Sequence, residues 1–297
     1  MKKFIAIILA IFMLCSMTAC AASGANSTVP NPTNAATDHN GTVPTDGTQQ
    51  EEIPATTVYS RPVVTVGMPW DTNVVSVDGN ALTNWIERLL NVELEFTLYS
   101  GGGDIGTQIA TMANVQQPLP DILYGIDLTD QQLKQFVRDG YFCDLTSYFE
   151  NRDGATLNFW GRLEERLTEE QVTTIAAGIV AENGKYYVVP TVETTGNGET
   201  VEVTCKPNTF ISKDCQDPDL AFEILMLLWS EEGSLRVRYG EYGDNWEDAD
   251  EGSKSEAGLD ATIKVIVDPK TQFNTAHWGT VACCFNEYAN GETVQMP

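Results

Sequence analysis

Between Val63 and Gly125 the hydrophobic pattern switches back and forth between the period of a strand and the period of a helix, and few architectures accept such a chain. Val63–Gly67 is a short β-rich run. Asn80 is a capping residue type, and Leu82, Trp85, Ile86, Leu89 and Leu90 follow it at the spacing of one buried helical face. Val92, Leu94, Phe96 and Leu98 then alternate with Glu93, Glu95, Thr97 and Tyr99, the pattern of a strand with one wet face. Gly101–Gly103 turns the chain, and Ile105, Ile109, Met112 and Ala113 return to helical spacing. Pro118-Leu119-Pro120 stops that helix, because proline lacks the amide donor and restricts the residue before it. Asp121–Gly125 reads as a third strand. Strands alternating with helices imply an α/β fold with a parallel sheet, which binds ligands at the carboxyl ends of its strands. Trp70, Tyr99 and Tyr124 sit at or just beyond those ends.

Charge narrows the partners. The chain carries 17 Lys and Arg against 42 Asp and Glu, a formal charge of -25. Phosphate backbones and anionic lipid surfaces repel such a chain, so nucleic acid is excluded as a partner and membrane docking by charge is too. Neutral and cationic ligands remain, and much of the acidity reads as a solvated surface.

The first residues address the chain to a membrane. Lys2 and Lys3 precede an apolar run, Phe4–Leu14, that is too short to span a bilayer and reads as a signal peptide over 1–19. It ends in Met17-Thr18-Ala19-Cys20, which resembles the lipobox of bacterial lipoproteins. That resemblance implies diacylation of Cys20, and two acyl chains anchor stably where one is marginal. From Ala21 to about Tyr59 the chain is rich in small polar residues and proline, with no Lys or Arg. It buries too little to offset its ordering entropy, so residues 20–59 read as a disordered tether. A globular head outside the cytoplasmic membrane is the expectation.

Further local signals follow. Thr129 and Gln132 form a capping-box pattern with Leu128 and Leu133 placed as its staple, and Gly140 suits the residue just past the helix. Thr146–Glu150 reads as helical, and Gly184 turns the chain into Lys185-Tyr186-Tyr187-Val188-Val189-Pro190. Asp217 and Pro218 start a late helix over 218–229 that is apolar nearly all round and needs partners on more than one side.

Taken in order, Pro120-Asp121-Ile122, Gly140-Tyr141-Phe142 with Asp144-Leu145, and Gly184-Lys185-Tyr186-Tyr187 with Pro190 resemble the extracellular solute-binding proteins of ABC importers. More narrowly they resemble the large sugar-binding lipoproteins of Gram-positive bacteria. Ile211–Ala221, Ser230–Ser234, Arg238-Tyr239-Gly240 and Gly243-Asp244-Asn245-Trp246 extend the match over most of residues 60–250. The resemblance implies a type II periplasmic-binding fold, an oligosaccharide ligand, lobe closure around it and a permease as partner. One departure stands out. Pro190 is followed by the polar stretch Thr191–Thr204 where family members carry most of a second lobe, so a central block is expected to be missing. The chain then divides into a first α/β lobe over 60–190 and a reduced remainder over 191–297.

Catalysis and metals find little support. Of the two histidines, His39 lies in the tether, and His277 alone is a poor basis for a triad. Glu164 and Glu165 are the pair open to a carbohydrate-active enzyme, but adjacent helical positions point apart. No zinc spacing occurs, and Asp244, Asp248, Asp250 and Glu251 miss the EF-hand pattern, so neither a metal nor a cofactor is expected. Cys205 and Cys215 are a possible pair in an oxidising compartment, with buried free thiols as the default for all the cysteines of the head. Recognition remains. A sugar presents hydroxyls at its edge and an apolar C–H face, so it needs aromatic platforms beside carboxylates and amides. Trp70 with Asp71, then Tyr124, then Trp246 with Asp244 and Asn245 fit that need. Core packing is the alternative for each aromatic.

Overall fold

The structure, a computed structural model, describes residues 60–100, 104–151, 158–195, 202–255, 258–267, 273–285 and 294–295. The leader with Cys20, the tether and the Gly101–Gly103 turn lie outside the described residues.

The expected alternation forms one side of a five-stranded sheet. β1 (Val63–Pro69) and β2 (Glu93–Tyr99) pair in parallel from Val63↔Glu93 to Pro69↔Tyr99, with α1 (Ala81–Leu90) as the crossover. β3 (Ile122–Leu123) lies parallel on the other side of β1, reached through α2 (Ile105–Asn114). α1 starts where Asn80 Oδ1 accepts the Leu82 and Thr83 amides, and it buries Leu82, Trp85 and Ile86. Asp104 caps α2 by accepting the Thr107 amide.

α3 (Asp130–Arg138) opens with the reciprocal Thr129–Gln132 box, and Gly140 at φ 73° turns the chain beyond it. α4 (Thr146–Glu150), α5 (Phe159–Glu164) and α6 (Glu169–Ile179) follow, α6 with a second box from Thr168 and Gln171. β4 (Val189–Thr195) and β5 (Glu202–Ile211) then pair antiparallel down to Thr195↔Glu202, and β5 pairs antiparallel with β3. The sheet order is β2-β1-β3-β5-β4. α7 (Pro218–Leu228) is capped by Asp217 and α8 (Glu231–Tyr239) by Ser230. A smaller sheet, in the order β6-β7-β8, joins β6 (Trp246–Asp248), β7 (Ile263–Val265) and β8 (Val294–Gln295).

Four sequence expectations need correcting or completing. Leu98 does not share the buried face of Leu94; it is exposed and Tyr99 is buried instead, because the Tyr99 ring folds over Gly67 at the strand end. The Thr191–Thr204 stretch is not a mere connection: it supplies most of β4 and the start of β5, strands whose Thr, Glu and Lys side chains hide the alternation. The boundary expected at 190/191 falls inside β4, and one hydrophobic core runs from Val64 through Leu225 to Phe285. The remainder expected over 191–297 does not stand apart: its β5 completes the sheet of the first lobe. β4 pairs antiparallel with β5, and among the described residues no second α/β lobe is built.

The late helix meets its requirement for several partners. It buries Ala221, Phe222, Ile224, Leu225, Met226 and Leu228, touching α1, α8 and β5, and Trp229 beyond it donates to the Pro190 carbonyl at 2.9 Å.

The motifs that carried the resemblance are mostly structural clamps. The Asp121 carboxylate accepts the Thr65 amide at 2.8 Å and its hydroxyl at 2.6 Å, locking β1 to the start of β3. Lys185 pairs with Asp144 at 2.6 Å while Leu145 donates to the Tyr186 carbonyl, so two separate motifs hold one another. Asp214 accepts the Leu119 amide at 3.0 Å. Among the described residues no helix is long and apolar enough to cross a membrane.

Candidate functional site

The parallel strands β1 and β3 end side by side, and the residues just past them form the expected crevice edge. Trp70 donates its amide to the Tyr99 carbonyl at 2.8 Å, which fixes the β1 exit against the end of β2. Trp70 as a whole is 40% exposed. Asp71 is half-buried, and its Oδ1 accepts the Asn73 amide at 2.8 Å. On β3, Tyr124 donates its amide to the Gly67 carbonyl, and Gly125 at φ 66° turns the chain away.

Residues 273–285 cross these strand ends. Ala81 and Leu82 donate to the carbonyls of Thr275 and Ala276, and Asn274 donates to the Asn73 carbonyl. Trp278, 2% exposed, donates from Nε1 to Thr83 Oγ1 at 2.8 Å, and its ring meets Phe96 and Tyr124 edge-on at 5.5 and 5.1 Å. Gly279 lies against the Asp71 carboxylate and the Thr280 methyl group against Gly125. Val192 on β4 donates to the Cys284 carbonyl at 3.0 Å.

This covering segment decides the fate of the sequence candidates. Tyr124 is a core residue rather than a ligand platform. It has no exposed surface, and its hydroxyl donates to the Ala282 carbonyl at 2.5 Å. Burial, then the neighbouring Cys284 and Cys283, push its phenol well above the ordinary range, so it stays protonated. Tyr99 is likewise buried, with its phenol raised by desolvation. Trp246 is corrected in the same way: it is 5% exposed, packs with Leu235, Tyr239, Ile263 and Val265, and donates from Nε1 to the Gly240 carbonyl. Asn245 holds a turn through Oδ1, which accepts the Glu241 amide at 2.9 Å, and Asp244 is exposed beside it. All three belong to the turn and strand of the small sheet rather than to the ends of β1 and β3. Trp70 and Asp71 are therefore the two candidates that combine the right location with access.

Below the edge lies a polar layer that sequence reading missed. Ile126 donates to the Asn208 carbonyl at 2.7 Å, the Asn208 side-chain amide donates to Thr191 Oγ1, and Gly125 donates to Thr209 Oγ1. These buried groups satisfy one another among β4, β5 and the exit of β3. Trp278, Gly279 and Thr280 were also missed. Their only signal is a tryptophan beside a glycine, and contacts distant in sequence give it meaning.

The other chemistries find no support here. His277 is buried and its Nδ1 accepts the Gly279 amide at 2.8 Å, a role in holding the covering segment. Glu164 and Glu165 are both exposed at the end of α5. The pairing considered for Cys205 and Cys215 is not made: both are free thiols, Cys205 packs near Gly178 on α6, and burial pushes each up to about 12. Among the described residues no group of three His, Cys, Asp or Glu side chains is placed to hold a metal ion.

No protein-family model matches the sequence, and no curated protein matches it. Solved structures do. The ABC-transporter substrate-binding protein FusA of S. pneumoniae in complex with kestose superposes with a TM-score of 0.56 at 10% identity, over 79% of this chain and 80% of that one. An HMO-binding, ABC-transporter-associated solute-binding protein from Bifidobacterium longum infantis gives 0.55 at 11%, over 80% and 79%. An extracellular solute-binding protein from Bifidobacterium longum subsp. infantis gives 0.56 at 10%, over 81% and 80%. Identity this low carries the fold and not the ligand. This chain has the type II periplasmic-binding-like α/β fold of the ABC-transporter substrate-binding proteins.

Proposed function

We propose that this chain is a lipid-anchored solute-binding protein that takes a carbohydrate outside the cytoplasmic membrane and presents it to an ABC permease. The observation that carries this reading is Trp70, exposed beside the Asp71 carboxylate at the carboxyl end of β1. An indole face suits the C–H face of a sugar, and a carboxylate accepts from its hydroxyls. The fold supports the transport class, and proteins of this fold include one solved with kestose. Anchoring rests on Cys20 within its lipobox-like setting. On this reading, the antiparallel return of β4 into β5 leaves the ligand to be held by one lobe. That same return, together with the covering segment, favours a second reading: a surface interaction module that has kept the lobe and lost transport.

Thermal unfolding of residues 58–297 against a panel of oligosaccharides, kestose included, separates the two. A ligand at about 100 times its Kd adds about 2.7 kcal/mol. That raises Tm by about 5–10 °C for a head of this size. A cooperative transition that no sugar moves overturns the carbohydrate reading and leaves the interaction module. Replacing Cys20 by alanine should release the protein from membranes into the medium; retention in the membrane fraction removes the anchor.

A further inference from the structure

The fold sorts the cysteines of the head into separate places. Cys205 packs against Gly178 on α6. Cys283 and Cys284 lie in the covering segment, where the Cys283 thiol reaches the Leu225 carbonyl at 3.5 Å. Cys143 and Cys215 come together elsewhere. Phe142 and Ser212 face one another in an antiparallel bridge. On either side of it the Cys143 amide donates to the Ile211 carbonyl and the Lys213 amide to the Tyr141 carbonyl, both at 2.9 Å. The chain then turns, so that the Cys215 amide donates back to the Ser212 carbonyl at 3.2 Å. The Cys143 thiol donates to that same oxygen at 3.0 Å.

One carbonyl oxygen therefore holds both residues. The Cys143 sulfur and the Cys215 nitrogen lie no further apart than the sum of those two hydrogen bonds, and the Cys215 sulfur is three covalent bonds from that nitrogen. A disulfide needs Cα atoms within about 7 Å of one another, a separation this turn provides. A second observation places both thiols on one neighbour. The Tyr148 phenol, raised by burial and by its hydrogen bond to Asp219, is raised further by Cys143 and by Cys215. Both cysteines are half-buried against the core, and both are thiols in the structure.

We propose that Cys143 and Cys215 form a disulfide that staples the turn after β5 to the segment before α4. The pairing takes from the proposed function only that the head folds outside the cytoplasmic membrane, where such bonds persist. The oxidant is another disulfide, small or carried by an exchange protein. One cysteine thiolate attacks it, expels one thiolate and is left in a mixed disulfide. The second cysteine thiolate attacks that cysteine's sulfur, closes the Sγ–Sγ bond and expels the other thiolate. The two cysteine protons end on the two released thiols, so one disulfide is reduced as another forms. Burial raises the Cys143 thiol above its ordinary range and pushes that of Cys215 up to about 12. Exchange is therefore slow once the core has closed, and the pair joins while the chain folds.

Peptide mapping without reduction tests it. Full-length protein in mild detergent is incubated with oxidised glutathione or with reductant, in enough urea to loosen the core without unfolding it. The urea is removed, one portion is melted, and the rest is unfolded, alkylated and digested. The expected result with glutathione is a Cys143–Cys215 linked peptide in most molecules, two hydrogens lighter than the two thiol peptides together, with Cys205, Cys283 and Cys284 alkylated. The oxidised protein should melt about 5–10 °C above the reduced one. The double variant Cys143→Ser, Cys215→Ser should melt alike after both treatments, which ties the shift to this pair. Alkylation of both Cys143 and Cys215 after glutathione, linkage of either to a different cysteine, or equal melting of oxidised and reduced protein would each overturn the proposal. The oxidation is done in vitro, so it reads the pair whether or not the chain is exported, and failure of one reading is distinct from failure of the other.

Discussion

At the scale of single residues, burial separates two aromatics that look alike in the sequence. Trp70 and Tyr124 each follow a parallel strand, yet Trp70 keeps 40% of its surface and Tyr124 keeps none. Replacing Trp70 by alanine should therefore weaken carbohydrate binding several-fold, on the order of 1 kcal/mol, with Tm almost unchanged. Calorimetric titration beside a melting curve reads both; unaltered affinity takes Trp70 out of the site. Tyr124→Phe should do the reverse. It strands the Ala282 carbonyl that the phenol satisfies, at a cost of about 1–3 kcal/mol, measurable by urea unfolding. Nothing in the local sequence distinguishes these outcomes. Tyr124 is buried because Trp278, a residue remote in sequence, stacks its edge on it.

At the scale of elements, local signals predicted starts and stops well. Asn80, Thr129 and Asp217 mark helix beginnings in the sequence, and each caps in the structure. Capping is an interaction within a few residues, so it is legible without the fold. β5 escaped notice because its first half alternates between exposed and half-buried positions, with charged and polar side chains between small ones. α7 was legible as a helix needing several partners, and Leu225→Ala should confirm how tightly they fit. Its side chain is fully buried, so a loss of about 2–5 kcal/mol is expected in chemical unfolding, with the upper part of that range if the cavity cannot collapse.

The turn after β5 predicts an acid response. Burial opposes ionisation of Asp214, but the Leu119 amide and Lys213 outweigh it and hold its carboxyl below 3.8. A carboxyl depressed in the folded state stabilises above its unfolded value and loses that contribution as the pH falls through the folded one. Asp214→Asn should flatten the decline of Tm below about pH 4 while lowering Tm at neutral pH. An unchanged acid limb would mean that other carboxylates carry it.

At the scale of the whole molecule, the order β2-β1-β3-β5-β4 joins the parallel strands of 63–123 and the antiparallel pair of 189–211 into one sheet. β4 and β5 pair antiparallel from Val189↔Thr209 to Thr195↔Glu202. A protein built this way has no second lobe among its described residues to swing onto a ligand. Small-angle scattering of residues 58–297 with saturating sugar should show a radius of gyration unchanged within error, whereas a two-lobed protein that closes becomes smaller. A clear contraction would reveal a moving part that this sheet does not contain.

Sequence by itself determined the α/β class, the capped helices and the position of Trp70 and Asp71 at a strand exit. Each follows from periodicity or capping, which act over a few residues. Tertiary structure alone decided which aromatics remain open, how the polar β5 completes the sheet, and that residues 273–285 lie over the strand ends. Those outcomes rest on pairings such as Ala81 with Thr275 and Val192 with Cys284, between segments far apart along the chain. Such pairings leave no local pattern, because the energy that selects them arises only when the whole core closes around Tyr124 and Trp278.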